Sequence, residues 1–197
     1  MAKGCSVTKS AQSGLTLIEL MAVIMIAGVL LAIAVPGMES LTSRSRQLNA
    51  VGDITAMLAR ARSEAATLYQ PVTLCSSSDG LSCSGSLGWE EGWVMFVDKN
   101  SNKELDEGET IIQVGQALPS GTSLSALYFQ GYDEVVAITF QKGGMPETAG
   151  TFRYCVNKGA VLQAVNVGVS GQARIAIDAN GDGKLENNSG AAIPVCL

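Results

Sequence analysis

The chain has 197 residues, a formal net charge of −5 and no histidine. Its length fits one globular domain with an additional segment. The absence of histidine excludes a serine–histidine–aspartate triad and a histidine metal centre. From Pro71 onward, 14 acidic residues stand against seven basic ones, a net charge of about −7 that disfavours a polyanion as partner.

A short polar leader, residues 1–14, precedes an apolar run of 21 residues, 15–35. As a helix rising about 1.5 Å per residue, this run spans roughly 32 Å, enough to cross a bilayer core. The leader has two lysines and no acid, which would keep it in the cytoplasm. No small-residue cleavage site follows the run, and only the Gly14–Leu15 bond looks suited to cleavage. We therefore predict a single-pass inner-membrane segment followed by a periplasmic head.

Glu19 is the one acid inside this apolar run. A charge at the centre of a spanning helix costs about 2.5–3.5 kcal/mol on insertion scales, and less near an end. Cleavage after Gly14 would create an α-amine at Leu15, which can lie against Glu19 of a neighbouring helix. We predict that Glu19 sets the register of helices in a polymer. The alternative is that the Glu19 carboxylate extends to the membrane surface and has no role in assembly.

From residue 37 the sequence becomes amphipathic, and apolar residues recur at helical spacing. This stripe consists of Leu41, Leu48, Val51, Leu58, Ala61, Ala65 and Leu68. The helix should end near Tyr69-Gln70 because Pro71 follows, and it should be kinked or locally melted at Pro36-Gly37. The predicted organisation is a leader (1–14), a membrane and assembly half of the helix (15–36), an amphipathic half (37–70) and a head (71–197).

Beyond Pro71, short strand-like runs alternate with clusters of Gly, Ser, Asn and Asp. The predicted strands are Val72–Cys75, Trp93–Val97, Thr110–Val114, Val135–Phe140, Thr151–Val156, Val161–Val165 and Arg174–Ile177. A long helix followed by such strands predicts an α+β fold, in which an antiparallel sheet rests on the helix.

Four cysteines remain once the leader, which contains Cys5, is removed. An even number in an exported domain predicts two disulfides, although free thiols are the alternative. Three pairings are possible. We favour Cys75–Cys83, which closes a local loop, and Cys155–Cys196, which ties the C-terminus to the sheet.

The segment from residue 98 to residue 109 has oxygen-bearing side chains at the spacing of a calcium loop. The candidate ligands for weakly bound Ca²⁺ are Asp98, Asn100, Asn102, Asp106 and Glu109. Lys103 occupies the position where glycine is expected. A second acidic loop starts at Asp178 and has that glycine, but it ends in Ser189 instead of an acid. In both loops the alternative is a turn rich in Asn and Asp. We expect no other cofactor.

The hexamer Gly14-Leu15-Thr16-Leu17-Ile18-Glu19 resembles the class III signal of type IV pilins and type II secretion pseudopilins, with Leu15 in place of the usual Phe. Pro36 matches the proline that kinks pilin stems. The resemblance implies the pilin fold, cleavage after Gly14 by a prepilin peptidase, and N-methylation of Leu15. It also implies packing against the major pilin and other minor pilins through the stem helices.

Two further stretches, Arg62-Ser63-Glu64-Ala65 and residues 92–109, resemble the GspH/FimT family of minor pilins and pseudopilins. This resemblance implies a structural subunit of a priming complex at or near the tip of a type IV pilus. The alternative is a minor pseudopilin of a type II secretion system. No motif supports catalysis, so we do not expect an enzyme.

One branch of this family binds DNA through a Gly-Arg-x-Arg motif late in the head. The nearest match here, Gly171-Gln172-Ala173-Arg174, lacks the first arginine. Because the head is also acidic, we do not expect direct DNA binding.

Overall fold

The computed structural model describes residues 16–128, 133–156 and 161–196, without the side chains of residues 32–44, 46 and 47. A long helix, α1 (Leu17–Leu68), opens the fold. Thr16 caps its start, because the Thr16 hydroxyl oxygen accepts a hydrogen bond from the backbone N–H of Glu19 at 3.3 Å. The predicted cleavage residues Gly14 and Leu15 lie outside the described residues.

Helix α1 continues without interruption through Pro36-Gly37, so the expectation of a locally melted segment there is wrong. A kink at Pro36 stays a prediction. The helix ends at Leu68, close to the predicted end. Tyr69 then takes a positive φ of 52°, the left-handed conformation that terminates many helices, and Pro71 prevents continuation.

The chain divides into two compact units, residues 1–45 and residues 46–197. In the first unit, every side chain from residue 16 to residue 31 is exposed. Over the described part of the chain, no helix combines the length and hydropathy that crossing a membrane requires. The second unit contains the rest of α1 and the strands.

The described residues form nine strands in two antiparallel sheets. The strands are β1 (Val72–Ser76), β2 (Trp93–Val97), β3 (Thr110–Gly115), β4 (Thr122–Tyr128), β5 (Glu134–Val135), β6 (Ala137–Phe140), β7 (Gly150–Val156), β8 (Val161–Val167) and β9 (Ala173–Ile175). One sheet, sheet A, has the order β3-β2-β1-β6, and the other, sheet B, has the order β5-β4-β7-β8-β9. The predicted α+β class is confirmed, whereas the prediction of a single sheet is wrong.

The division into two sheets arises at Val136. The predicted strand Val135–Phe140 is split there, since β5 pairs with β4 while β6 pairs with β1. The carbonyl oxygen of Val136 accepts a hydrogen bond from the backbone N–H of Ser76 at 3.2 Å. Strand β4 was not predicted from the sequence, because its serines and alanine give a weak strand signal.

The core of the second unit lies where α1 packs against both sheets. Leu58, Ala61 and Ala65 of the helix are fully buried. Trp89 is fully buried as well, and its indole N–H donates a hydrogen bond to the carbonyl oxygen of Val135 at 3.0 Å. The sheets contribute core residues that include Leu74, Met95, Leu124, Phe152, Val165 and Val167.

The apolar stripe of α1 is shifted from the predicted one. Leu48 and Leu68 are 60% and 45% exposed, so neither belongs to the core. Ala50, Ile54 and Met57 are buried instead. The helix packs against two sheets, which requires a broader buried face than a single stripe supplies.

Both favoured disulfides are present in the structure. Cys75 and Cys83 are joined across a Cα–Cα distance of 5.6 Å, and Cys155 and Cys196 across 6.3 Å. The first closes a short loop beside sheet A, and the second fastens the C-terminal segment to β7.

We predict that Leu58→Ala lowers the free energy of unfolding of residues 46–197 by about 2–5 kcal/mol, because it opens a cavity in a fully buried site. The matched control is Leu48→Ala, an identical change at an exposed position of the same helix, which should alter stability by less than about 0.5 kcal/mol. Denaturant unfolding followed by circular dichroism measures both values. Equal losses in the two variants would contradict this assignment of the core.

Candidate functional site

The start of α1 presents an acid in the first helical turn. Glu19 is exposed, and a carboxylate at this position interacts favourably with the helix dipole. Among the described residues it has no ion-pair partner, and the amine predicted at Leu15 lies outside them. The arrangement leaves the carboxylate available to a cation on another molecule.

The loop between β2 and β3, residues 98–109, is built around a buried carboxylate. Asp98 is fully buried, and one of its oxygens, Oδ2, accepts hydrogen bonds from the Thr73 hydroxyl at 2.8 Å and from the Lys103 N–H at 3.0 Å. The other, Oδ1, accepts the Asn102 N–H at 3.2 Å. Asp98 therefore fastens the loop to β1.

The side chains of the remaining candidate calcium ligands form hydrogen bonds within the loop. The side-chain amides of Asn100 and Asn102 both donate to Oδ2 of Asp106 at 2.8 Å. Glu109 accepts the N–H groups of Lys99 at 2.8 Å and of Asp106 at 3.2 Å. In the described ranges, no three acidic or cysteine side chains are grouped to hold a metal. Calcium binding stays a prediction, which calorimetry with Ca²⁺ tests.

Two further contacts hold this loop against sheet A. Leu105 packs beside Cys83 on the face of the sheet away from α1. Lys103 adopts a φ of 66°, the conformation for which glycine is usual at this loop position. Its ammonium lies 2.8 Å from a carboxylate oxygen of Glu147, and this hydrogen bond raises the pKa of Lys103.

The second acidic loop, which begins at Asp178, is also closed by its own hydrogen bonds. Asp178 accepts the N–H groups of Gly181 at 2.6 Å and Gly183 at 2.8 Å. Glu186 is buried and accepts the Ala179 N–H at 3.1 Å. These contacts are those of an Asp-rich turn.

The loop closed by the Cys75–Cys83 disulfide turns around the Asp79 carboxylate. Asp79 accepts the N–H groups of Leu81 at 2.8 Å and Ser82 at 2.9 Å, and the Ser82 hydroxyl at 2.9 Å. These hydrogen bonds, with that of Leu81 foremost, lower the pKa of Asp79 from 3.8 to about 2.

Arg153 on β7 binds the C-terminal segment, a role that sequence reasoning missed. Its guanidinium is buried, forms an ion pair with Glu134, and donates to the carbonyl oxygens of Pro194 at 3.0 Å and Val195 at 2.6 Å. Its Nε donates to the Ser125 hydroxyl at 2.8 Å. The only signal in the sequence is a lone arginine in an otherwise uncharged strand.

The segment nearest to a DNA-binding motif lies at the edge of sheet B. Gly171 precedes β9, the last strand of that sheet. Arg174 is exposed, and its guanidinium donates to the Gln172 side-chain oxygen at 2.9 Å. One exposed arginine at this edge offers a single cation and not a basic track for a phosphate backbone.

Two families of sequences match this chain. The family described as type II transport protein GspH matches residues 50–183. The prokaryotic N-terminal methylation motif matches residues 9–35, which include the predicted cleavage position and Glu19. No curated protein matches the chain.

Two solved structures resemble this one, and both are crystal structures of the type IV minor pilin FimU from Pseudomonas aeruginosa (strain PAO1). The P21 form matches with a TM-score of 0.55 and 18% identity, over 80% of this chain and 99% of that chain. The P65 form matches with a TM-score of 0.52 and 17% identity, over 76% of this chain and 99% of that chain. This likeness confirms the predicted pilin fold.

We predict that Asp98→Ala lowers the free energy of unfolding by about 2–4 kcal/mol, because the N–H groups of Asn102 and Lys103 and the Thr73 hydroxyl lose a charged acceptor. Glu107→Ala, which removes an exposed acid from the same loop, serves as the control and should change stability by less than about 0.5 kcal/mol. Thermal or urea unfolding measures both. A small effect at Asp98 would show that the loop does not depend on it.

We predict that acidification loosens the disulfide loop through Asp79. A folded-state pKa of about 2, below the ordinary 3.8, means that the carboxylate contributes stability above pH 4. That contribution is lost as the pH falls from about 4 toward 2. Carbon-detected NMR of the Asp79 carboxyl group measures the pKa directly. A pKa near 3.8 for Asp79 would contradict the hydrogen-bonding account.

Proposed function

We propose that this chain, which belongs to the type II transport protein GspH family, is a minor pilin that helps to initiate assembly of a type IV pilus. The observation that carries the proposal is that one chain joins a methylation motif at residues 9–35 to a GspH head at residues 50–183. The solved structures that resemble it are those of a type IV minor pilin, which favours the pilus. In this reading the head belongs to a priming complex at or near the filament tip.

A minor pseudopilin of a type II secretion system is the second candidate. The description of the matching family, type II transport protein, favours it. Both assemblies use a hydrophobic stem and a folded head, so the two candidates share the same precursor and the same stem chemistry.

In the proposed pathway, the precursor is anchored in the inner membrane by residues 15–36, with the head in the periplasm. A prepilin peptidase cuts after Gly14, and Leu15 becomes the N-methylated first residue. The two disulfides are consistent with an oxidising compartment outside the cytoplasm. The exposed apolar side chains between residues 16 and 31 would then contact lipid before assembly and neighbouring stems after it.

Glu19 is the proposed assembly residue, and Pro36 the proposed site of stem bending. The carboxylate of Glu19 is exposed in an apolar setting, where an unpaired charge is unfavourable. The α-amine of the next subunit can form an ion pair with this carboxylate, and it reaches the carboxylate at only one register of the two helices. Assembly is thereby directed by a charge pair, while the apolar surface supplies most of the contact area.

We predict that Glu19→Gln leaves the head folded but reduces the amount of protein in sheared filaments by about tenfold or more, because a buried pair loses one charge. Glu19→Asp keeps the charge and should retain part of the incorporation. The measurement is a quantitative immunoblot of filament and whole-cell fractions. Mass spectrometry of the wild-type protein should find a chain that begins at N-methylated Leu15.

Normal incorporation of Glu19→Gln, or functional filaments that contain a chain still beginning at Met1, would contradict the proposed role. Deletion of the gene separates the two candidates. Loss of surface pili with intact protein secretion supports the pilus, and the reverse result supports the secretion system.

A further inference from the structure

A groove of about 410 Å³ lies between α1 and two glycine turns of the second unit. Small side chains form its walls, among them Ala59 and Ala66 of the helix and Ala173 of β9. Arg62, the first residue of the GspH-like stretch Arg62-Ser63-Glu64-Ala65, lines the groove on the helix side. The other lining side chains are those of Thr55, Ser63 and Gln172, so the walls combine small apolar and polar groups around one cation.

The glycine turns make room for the Arg62 side chain. A Cβ atom placed on Gly171 would lie 2.4 Å from the Gly144 carbonyl oxygen and 3.1 Å from Cδ of Arg62. A Cβ atom on Gly144 would lie 2.8 Å from the Arg62 carbonyl oxygen. Both glycines have positive φ, 82° at Gly144 and 76° at Gly171. The stem of Arg62 thus rests against two close-packed turns, and its guanidinium remains exposed.

Arg62 has no acidic partner among the described residues. Arg60, on the opposite side of the same helix, pairs with Glu64 at 3.6 Å and donates to the Gln113 side chain at 3.1 Å. Arg153 is likewise paired with Glu134. Arg62 is therefore a cation held in a shaped groove without a counter-charge, in a head whose net charge is about −7.

Two further basic residues are neighbours of residues that line the groove. Lys142 directly precedes the lining residue Gly143, and Arg174 hydrogen-bonds to the lining residue Gln172. Ile175 and Ile177 are 56% and 66% exposed at the free edge of sheet B. Positive charge beside exposed β-branched side chains suits a protein partner with an acidic residue.

We propose that this groove is a contact surface of the assembled filament, in which Arg62 binds an aspartate or glutamate side chain of the adjacent subunit. This inference rests on the proposed function. The planar guanidinium can donate two parallel hydrogen bonds to one carboxylate, which fixes orientation as well as attraction. Charge complementarity at the Arg62 position selects an acidic partner.

A nucleic acid is the competing occupant of a basic surface. The groove is a local feature of an acidic head, so a long phosphate backbone would meet repulsion on either side of it. A single carboxylate, in contrast, needs only the one cation. The observations therefore favour a protein side chain.

The test replaces Arg62 in the full-length protein in the cell. Arg62→Glu should reduce the share of protein in sheared filaments by about tenfold or more, and Arg62→Gln by about threefold or more. Arg60→Glu, the same change on the opposite side of the helix, is the control and should stay within about twofold of wild type. Arg62→Glu could also lower incorporation by destabilising the fold, which a lower melting temperature than that of the wild type would reveal. In that case the incorporation of Arg62→Gln tests the proposal, because this variant introduces no negative charge into the groove.

The chemistry of the partner is tested by a photo-crosslinking amino acid at Ala59. Mass spectrometry should place the crosslink in a peptide of a neighbouring filament subunit that contains Asp or Glu. Replacing that acid by Arg should restore Arg62→Glu to within about threefold of wild-type incorporation. A crosslinked peptide without an acid, or a charge swap that restores nothing, would overturn the proposal.

The outcomes separate this inference from the function on which it rests. If wild-type protein reaches neither filaments nor pseudopili, the proposed function fails and the inference fails with it. If wild-type protein is incorporated and Arg62→Glu is incorporated equally well, only the inference fails. If a 30-base-pair duplex binds the wild-type protein, and Arg62→Gln removes that binding without affecting incorporation, the groove binds nucleic acid and the proposal is wrong.

Discussion

The second unit depends on one packing arrangement, in which the C-terminal part of α1 fills the space between two sheets. Leu58, Ala61 and Ala65 are fully buried there, and the two alanines allow both sheets to approach the helix backbone closely. Apolar burial of this kind is the main favourable term in folding. Trp89 anchors the loop between β1 and β2 in this core, whereas the loop 98–109 and the C-terminal segment are held from the outer faces of the sheets.

Different interactions attach chain segments to the outer faces of the two sheets. On sheet A, the Leu105 side chain and the buried Asp98 carboxylate fasten the loop 98–109, and the Cys75–Cys83 disulfide closes the loop 75–83. On sheet B, Arg153 and the Cys155–Cys196 disulfide fasten the C-terminal segment. Both loops are therefore fixed surfaces, which suits a protein that works through contacts with its neighbours more than through a reactive cleft.

The residues that we propose to direct assembly are charges without an ion-pair partner among the described residues. Glu19 is exposed among apolar side chains at the start of α1, and Arg62 is exposed in a groove further along the helix. Most other charges near these elements are paired or hydrogen-bonded, as Arg60 and Arg153 are. An unpaired charge of this kind obtains its counter-ion from another molecule, so it can direct the order in which subunits meet.

Features that depend on neighbours along the chain could be predicted from the sequence. These are the helix that ends before Pro71, the antiparallel strands with their turn residues, the pairing Cys75–Cys83 and the composition of the loop 98–109. Tertiary structure alone decided that the strands divide at Val136, that Thr122–Tyr128 forms β4, and that Trp89 is the buried anchor. It also decided that Gly144 and Gly171 enclose Arg62. These features depend on contacts between residues that are distant in sequence, and a local pattern of apolar and polar residues does not specify which distant surfaces will meet.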